Sequence, residues 1–169
     1  MLGVYNAFPI NVQKTVNFAT SISETKLQKA LTEAFFRLNT QTLSLQEVAF
    51  PSLPNCTIGF EFGIAENNDF NFLDQDERCR LFAAIAKRPF PTLDFLCIIR
   101  YYKTQNEKRK PLKFDHYMFR FRFEKKAAQI QIFHEKGPMH ISQKDLPLFI
   151  TRIINGKSPK KMIKIIREF

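Results

Sequence analysis

An α+β fold built on a mostly antiparallel sheet of about six strands follows from three features of this 169-residue sequence. Some segments alternate apolar and polar residues, others repeat apolar residues at helical spacing, and the stretch from Leu93 to Glu135 can be laid into three antiparallel strands in one register. With a two-residue turn at Lys125-Lys126, Tyr117, Phe119, Phe121 and Phe123 stand opposite His134, Ile132, Ile130 and Ala128 on an apolar face. The other face then holds His116, Met118, Arg120 and Arg122 against Glu135, Phe133, Gln131 and Gln129, and is polar and basic. The expected order is β-α-β-β-α-β-β-β-α-α over a single domain, residues 1-169, with helices packed mainly on one face.

Ile10 to Phe18 alternates, with Val12, Val16 and Phe18 facing in and Lys14 interrupting the apolar side, so a half-buried strand is expected. Ser21 with Glu24, or Ser23 alone, starts a helix whose Leu27, Leu31, Ala34, Phe35 and Leu38 share a face, and Asn39 stops it. Leu43 to Phe50 reads as a strand whose alternation changes phase, as a bulge would produce. After a turn at Pro51 and Pro54, Ile58, Phe60, Phe62 and Ile64 alternate with Thr57, Gly59, Glu61 and Gly63. The glycines relieve crowding on the far face or leave room for a ligand or another backbone. A polar loop, ENNDFN, leads to a helix opened by Asp74 and Glu77, carrying Leu81, Phe82 and Ile85 inward and ended by Arg88, Pro89 and Pro91.

Leu93 to Lys103 is apolar on both phases, the mark of a central strand. Its link onward, TQNEKRKPL, reads as a long basic connection, and the alignment chosen across it sets Asp94 opposite Arg122, Arg100 opposite His116 and Tyr101 opposite Asp115. EKGPMH turns at Gly137-Pro138, and Ser142 with Asp145 opens a third helix bearing Leu146, Phe149, Ile150, Ile153 and Ile154, closed by Asn155-Gly156. Ser158-Pro159 then reads as the start of a last helix, with Met162, Ile163, Ile166 and Phe169 on one face and Lys160, Lys161, Lys164 and Arg167 elsewhere. The helix, three strands, helix order from Asp74 to Asn155 superficially matches double-stranded RNA-binding domains. GPMH and KSPKK stand at other points in the order than that family's motifs, and the family is not assigned.

Nineteen Phe and no Trp make phenylalanine the main core filler. Cys56, Cys79 and Cys97 are odd in number and far apart, as reduced thiols are, and match neither a disulfide framework nor a metal spacing. The opening MLGVYNAFPINVQK has no basic segment ahead of an apolar run, so a cytoplasmic location and no membrane partner are expected. Net charge is +10, and residues 101–169 hold 17 basic and 6 acidic residues, a balance of +11 that exceeds the whole. Such a distribution suits anionic partners, although a solubilising surface in a Lys-rich composition produces it too.

Chemistry is less legible. His134 falls on the apolar face beside Tyr117, as a hydrogen-bonded core histidine does, His140 sits in a turn and is expected to be solvated, and His116 lies on the polar face with Asp115 pointing away. No phosphate-loop, dinucleotide or serine-hydrolase motif is present, so no cofactor and no catalytic residue is assigned, and an enzyme is the less favoured class. The leading expectation is a non-catalytic nucleic-acid-binding module or accessory subunit, with RNA or a single strand as target. Its phosphates would meet Lys108, Arg109, Lys110, Lys113, Lys125, Lys126, Lys160 and Lys161. Arg100, Tyr102, His116, Arg120, Arg122, Gln129, Gln131 and Phe133 would offer planar or hydrogen-bonding groups, all gathered into one patch. The alternative is a protein-interaction subunit, a homodimer or a partner's binder, whose sheet face centres on Leu96, Ile98 and Met118. A third class, a small-molecule enzyme or apolar-ligand carrier, requires a pocket near Gly59 and Gly63.

Overall fold

The computed structural model describes residues 2–49, 55–156 and 161–169. These form nine strands and three α-helices in the order β1 (Gly3–Val4), β2 (Lys14–Thr20), α1 (Glu24–Leu38), β3 (Thr42–Ser44), β4 (Cys56–Glu66), β5 (Asp69–Phe72), α2 (Gln75–Lys87), β6 (Thr92–Gln105), β7 (Lys108–Glu124), β8 (Ala127–Lys136), α3 (Asp145–Asn155) and β9 (Ile163–Glu168). All strands join one antiparallel sheet in the order β1-β5-β4-β6-β7-β8-β2-β9, with β3 paired to β4 off that path. The fold is α+β as expected, and the sheet is larger than six strands. None of the described helices is long and apolar enough to cross a membrane.

The largest correction is at the end of the chain, where the expected last helix is the edge strand β9, lying beside β2. The Ser158-Pro159 start falls outside the described residues. Helix capping and β-branched alternation compete over Ile163 to Glu168, and the open edge of β2 together with Asn155 decides for strand. The buried Asn155 amide accepts from the N–H groups of Met162 (2.9 Å) and Ile163 (3.0 Å) and donates to the Ile163 carbonyl (3.0 Å). Lys14, the odd residue on the apolar side of β2, is neutralised there by Glu168 at 2.9 Å.

Smaller corrections have local causes. The first long strand starts at Lys14, and Ile10 is fully exposed. The phase change after Leu43 is not a bulged strand: β3 ends at Ser44 and a single 3-10 turn, Leu45–Glu47, follows. ENNDFN is a hairpin that enters β5, with Asn67 at φ 57° in its turn. TQNEKRKPL belongs to the two longest strands. The Lys125-Lys126 turn and the pairing of Tyr117 with His134 and Phe121 with Ile130 are as read from the sequence, but β6 and β7 are slipped by two residues. Asp94 therefore faces Arg120, Arg100 faces Phe114 and Asp115 faces Ile99.

The helices all pack against the face that carries Phe60, Phe62, Phe95, Phe119 and Phe121. Helix α1 begins where Ser23 accepts the Lys26 N–H at 3.2 Å, and α2 where Asp74 accepts the Glu77 N–H at 2.9 Å. Phe35 of α1 is the hub: its ring is stacked on Phe62 at 4.0 Å, edge-on to Phe95 at 5.1 Å, and within 6.4 Å of Phe119 and Phe121. Phe35→Ala is expected to cost about 3–5 kcal/mol in equilibrium denaturation, because a fully buried ring leaves a cavity that four neighbouring rings cannot close.

The opposite face is partly covered by the chain's own N-terminal segment. Leu2 and Tyr5 close over Phe70, Leu96 and Ile98, leaving Leu96 and Ile98 only 3% and 4% exposed. A side chain at Gly63 would press on Leu2 at 3.0 Å, so this glycine permits the close approach of the strap rather than of a ligand.

Candidate functional site

Strands β6 and β7 run past the rest of the sheet as a two-stranded ribbon. Lys103 is the last β6 residue in register with β4, opposite Cys56, and beyond it Thr104 pairs with Arg109 and Gln105 with Lys108. Every residue from Lys103 to Phe114 is exposed. The ribbon turns on Asn106 and Glu107, at φ 49° and 63°, the left-handed pair of a two-residue type I′ turn. Residues 103–113 carry Lys103, Lys108, Arg109, Lys110 and Lys113 against Glu107 alone. Lys103 and Lys110 are direct cross-strand partners, a like-charge pair that lowers ribbon stability until an anion lies between them.

At the base of the ribbon, on the face away from the helices, the Arg109 guanidinium sits 4.1 Å from the Tyr102 ring centroid. Tyr102 passes over Gly59, where a Cβ would meet the ring at 3.9 Å. Arg100 is next, and its Nε donates to Glu61 at 2.8 Å. His116 is half-buried and 4.0 Å from Glu135. Burial, helped by Lys136 and Arg100, holds its imidazole below the usual range. It therefore adds no charge at neutral pH.

The expected single patch is not there. Arg122 and the Lys125-Lys126 turn lie at the opposite end of β7, some thirteen residues and roughly 40 Å from Arg109 at about 3.3 Å per residue. Lys161 is near that far end, its carbonyl accepting from Ser21 Oγ at 2.9 Å, while Lys160 lies outside the described residues. There Arg122 faces Gln129, Gln129 faces Asn17 and Asn17 faces Arg167, and the Gln129 amide donates to Asn17 at 2.9 Å. Gln131 and Phe133 are half-buried in the middle of β8. The structure thus makes two basic poles, of which the ribbon is the denser.

Arg120 belongs to neither. It grips Asp94 through both Nε and Nη2 at 2.8 Å, its guanidinium lies 4.7 Å from the Phe8 ring, and Tyr5 also donates to Asp94. Its hydrogen bonds to Asp94 hold Arg120 well above the ordinary arginine value. The N-terminal strap caps the pair. A cleft of about 340 Å³ opens beside it, between α2 and the strap, lined by Tyr5, Ile64, Glu66, Arg80, Leu81 and Asp94 among others. Its charged groups are already paired, Arg80 with Glu77 and Glu66, Asp94 with Arg120.

Beneath the ribbon base lies a sealed polar cluster. Asp115 has no exposed surface; it accepts from the Tyr101 hydroxyl, from the Met139 N–H at 2.8 Å, and lies 2.9 Å from His134 Nε2. His134 is the hydrogen-bonded core histidine the sequence suggested. His140 is half-buried, its ring meeting Tyr101 edge-on at 4.7 Å. Burial first, and Asp115 after it, keep the Tyr101 and Tyr117 phenols far above their usual range, so both remain protonated donors. Gly137, at φ 119°, leaves no space for a Cβ against Asp115 and Phe114, which is why the turn can close the site. Asp115, Tyr101 and Tyr117 are fully buried, and the bonds to Asp115 tie β6, β7, β8 and the turn at Met139 together.

Sequence reasoning missed Phe114, Lys136, Lys164 and Arg167. Phe114 shares the phase of His116 and Arg120, so alternation counted back through the supposed loop would have placed it. Lys164 and Arg167 came within reach only once the terminal segment proved to be a strand. The class defined by fold and site is an α+β protein with a nine-stranded antiparallel sheet and a protruding basic ribbon. No protein-family model, curated protein or solved structure matches the chain.

Two outcomes follow from the site. Asp115→Ala strands the Tyr101, His134 and Met139 donors, and is expected to cost about 3 kcal/mol in urea denaturation. Because folded His116 binds its proton less readily than the unfolded chain, it favours folding above the usual imidazole range, and that contribution is lost as pH falls through the range. His116→Gln should accordingly lose less stability on acidification than the parent, measured by denaturant titration across pH.

Proposed function

We propose that the protein is a non-catalytic nucleic-acid-binding module or accessory subunit, with RNA or a single strand as its favoured target and the β6–β7 ribbon as its contact surface. The observation that carries this is the ribbon's composition and exposure: five cations and one acid on a segment that adds little to the core. Two strands lying side by side with facing lysines at Lys103 and Lys110 set out a row of cations, and a phosphate backbone supplies the anions at regular spacing. The net charge of +10 adds long-range attraction. The self-association alternative has less support, because Leu96 and Ile98 at the centre of its patch are covered by Leu2 and Tyr5, with Met118 half-buried beside them.

Binding is tested by fluorescence anisotropy with a labelled single-stranded RNA over a range of salt. Affinity should fall steeply with salt, and Lys108→Ala, Arg109→Ala and Lys110→Ala together should reduce the slope of log K against log salt by about 2, at roughly 0.7 per phosphate contact. These positions are exposed, so the triple variant should keep the parent's stability. A triple variant that binds with unchanged affinity and slope would rule out the ribbon as the contact surface.

A further inference from the structure

Phe114 is the most exposed aromatic of the ribbon base among the described residues, at 39%, while Tyr102 beside it is half-buried. It is bracketed by cations: Arg100, its cross-strand partner, has its guanidinium 5.4 Å from the ring centroid, and the Lys136 ammonium is 6.0 Å away. His116 adds a second ring at 5.1 Å, and the Arg109–Tyr102 stack stands beside Arg100 on the same face. Planar groups interleaved with positive charge are what unpaired bases and their phosphates require together. A duplex keeps its base faces stacked inside and offers only phosphates and groove edges.

We propose that the base of the ribbon is a stacking platform for unpaired nucleobases, with Phe114 as the aromatic seat, Arg109 as a second plane, and Lys136 and Arg100 holding the flanking phosphates. This rests on nucleic-acid binding by the ribbon and adds to it a choice of strand state. The cations of the ribbon bring either form of nucleic acid to the surface; the platform retains the single strand. Glu61 fixes Arg100 from one side at 2.8 Å, which keeps its plane in place for Phe114 and leaves its other donors to a phosphate.

The absence of tryptophan from the chain makes this readable. Phe114→Trp places a single indole on the platform, and its emission is followed while adding oligo(U) or oligo(A) of about sixteen nucleotides, a duplex of equal length, inorganic polyphosphate or polyglutamate. Quenching by the single strands, and little by the duplex, polyphosphate or polyglutamate, is the expected result. In parallel, Phe114→Leu should lower single-strand affinity by about tenfold while leaving duplex affinity unchanged, and Phe114→Tyr should restore it. Single-strand binding that leaves the indole emission unchanged, or equal losses for both strand states in Phe114→Leu, would overturn the platform while leaving the ribbon as a phosphate binder. Quenching by polyglutamate as strong as by RNA would assign the surface to an acidic protein instead. No binding of any nucleic acid by the parent protein would remove the ribbon reading and the platform with it.

Discussion

A carboxylate shut away from water at the root of the ribbon holds this architecture in place. Asp115 joins four segments at once: Tyr101 from β6, its own strand β7, His134 from β8, and the turn at Met139 that leads into α3. An acidic group buried to this degree is tolerable only when it is hydrogen-bonded, and here the donors come from β6, β8 and the closing turn. The same site is where β6 and β7 leave the sheet, and the bulge between Arg100 and Tyr102 lies directly beside it. A ribbon that projects into solvent has no core of its own, so the rigidity of its base is inherited from this buried bonding.

The two faces of the sheet are closed by different means, and this divides stability from recognition. One face is a phenylalanine core under three helices, centred on Phe35. Among the described residues the other is covered by the strap, by Leu2 and Tyr5 on an apolar patch and by Phe8 on the Arg120–Asp94 pair. Arg120 looked like a recognition residue because it sits on a polar face. Its chelation by Asp94 makes it part of the seal, and the cations that the sequence grouped with it lie toward the two ends of β7.

Much of the meander could be read from residues alone, because a two-residue turn at Lys125-Lys126 leaves only one register that buries Tyr117, Phe119, Phe121 and Phe123 together. The β6–β7 pairing slipped by two because Asn106-Glu107 lacks the glycine that marks such turns, so a tight hairpin passed for a ten-residue connection. A slip of two keeps each side chain on its face, and the apolar and polar faces were therefore assigned correctly while Asp94 was given Arg122 in place of Arg120. The strap could not be found by periodicity: Tyr5 and Phe8 act singly, through one hydrogen bond and one ring contact. At the chain end, Ile163 to Glu168 satisfies both helical and strand patterns, and only the neighbouring edge of β2 and the Asn155 side chain choose between them.

That an exposed, cation-bearing ribbon is the part of the molecule that meets nucleic acid is most directly tested by amide chemical-shift mapping with a single-stranded oligonucleotide. Shifts concentrated on residues 100–116 and 136, with α1, α2 and the strap unmoved, are the expected result. Shifts centred on the Arg122–Lys126 end or on the helices, or none at saturating oligonucleotide, would contradict the account.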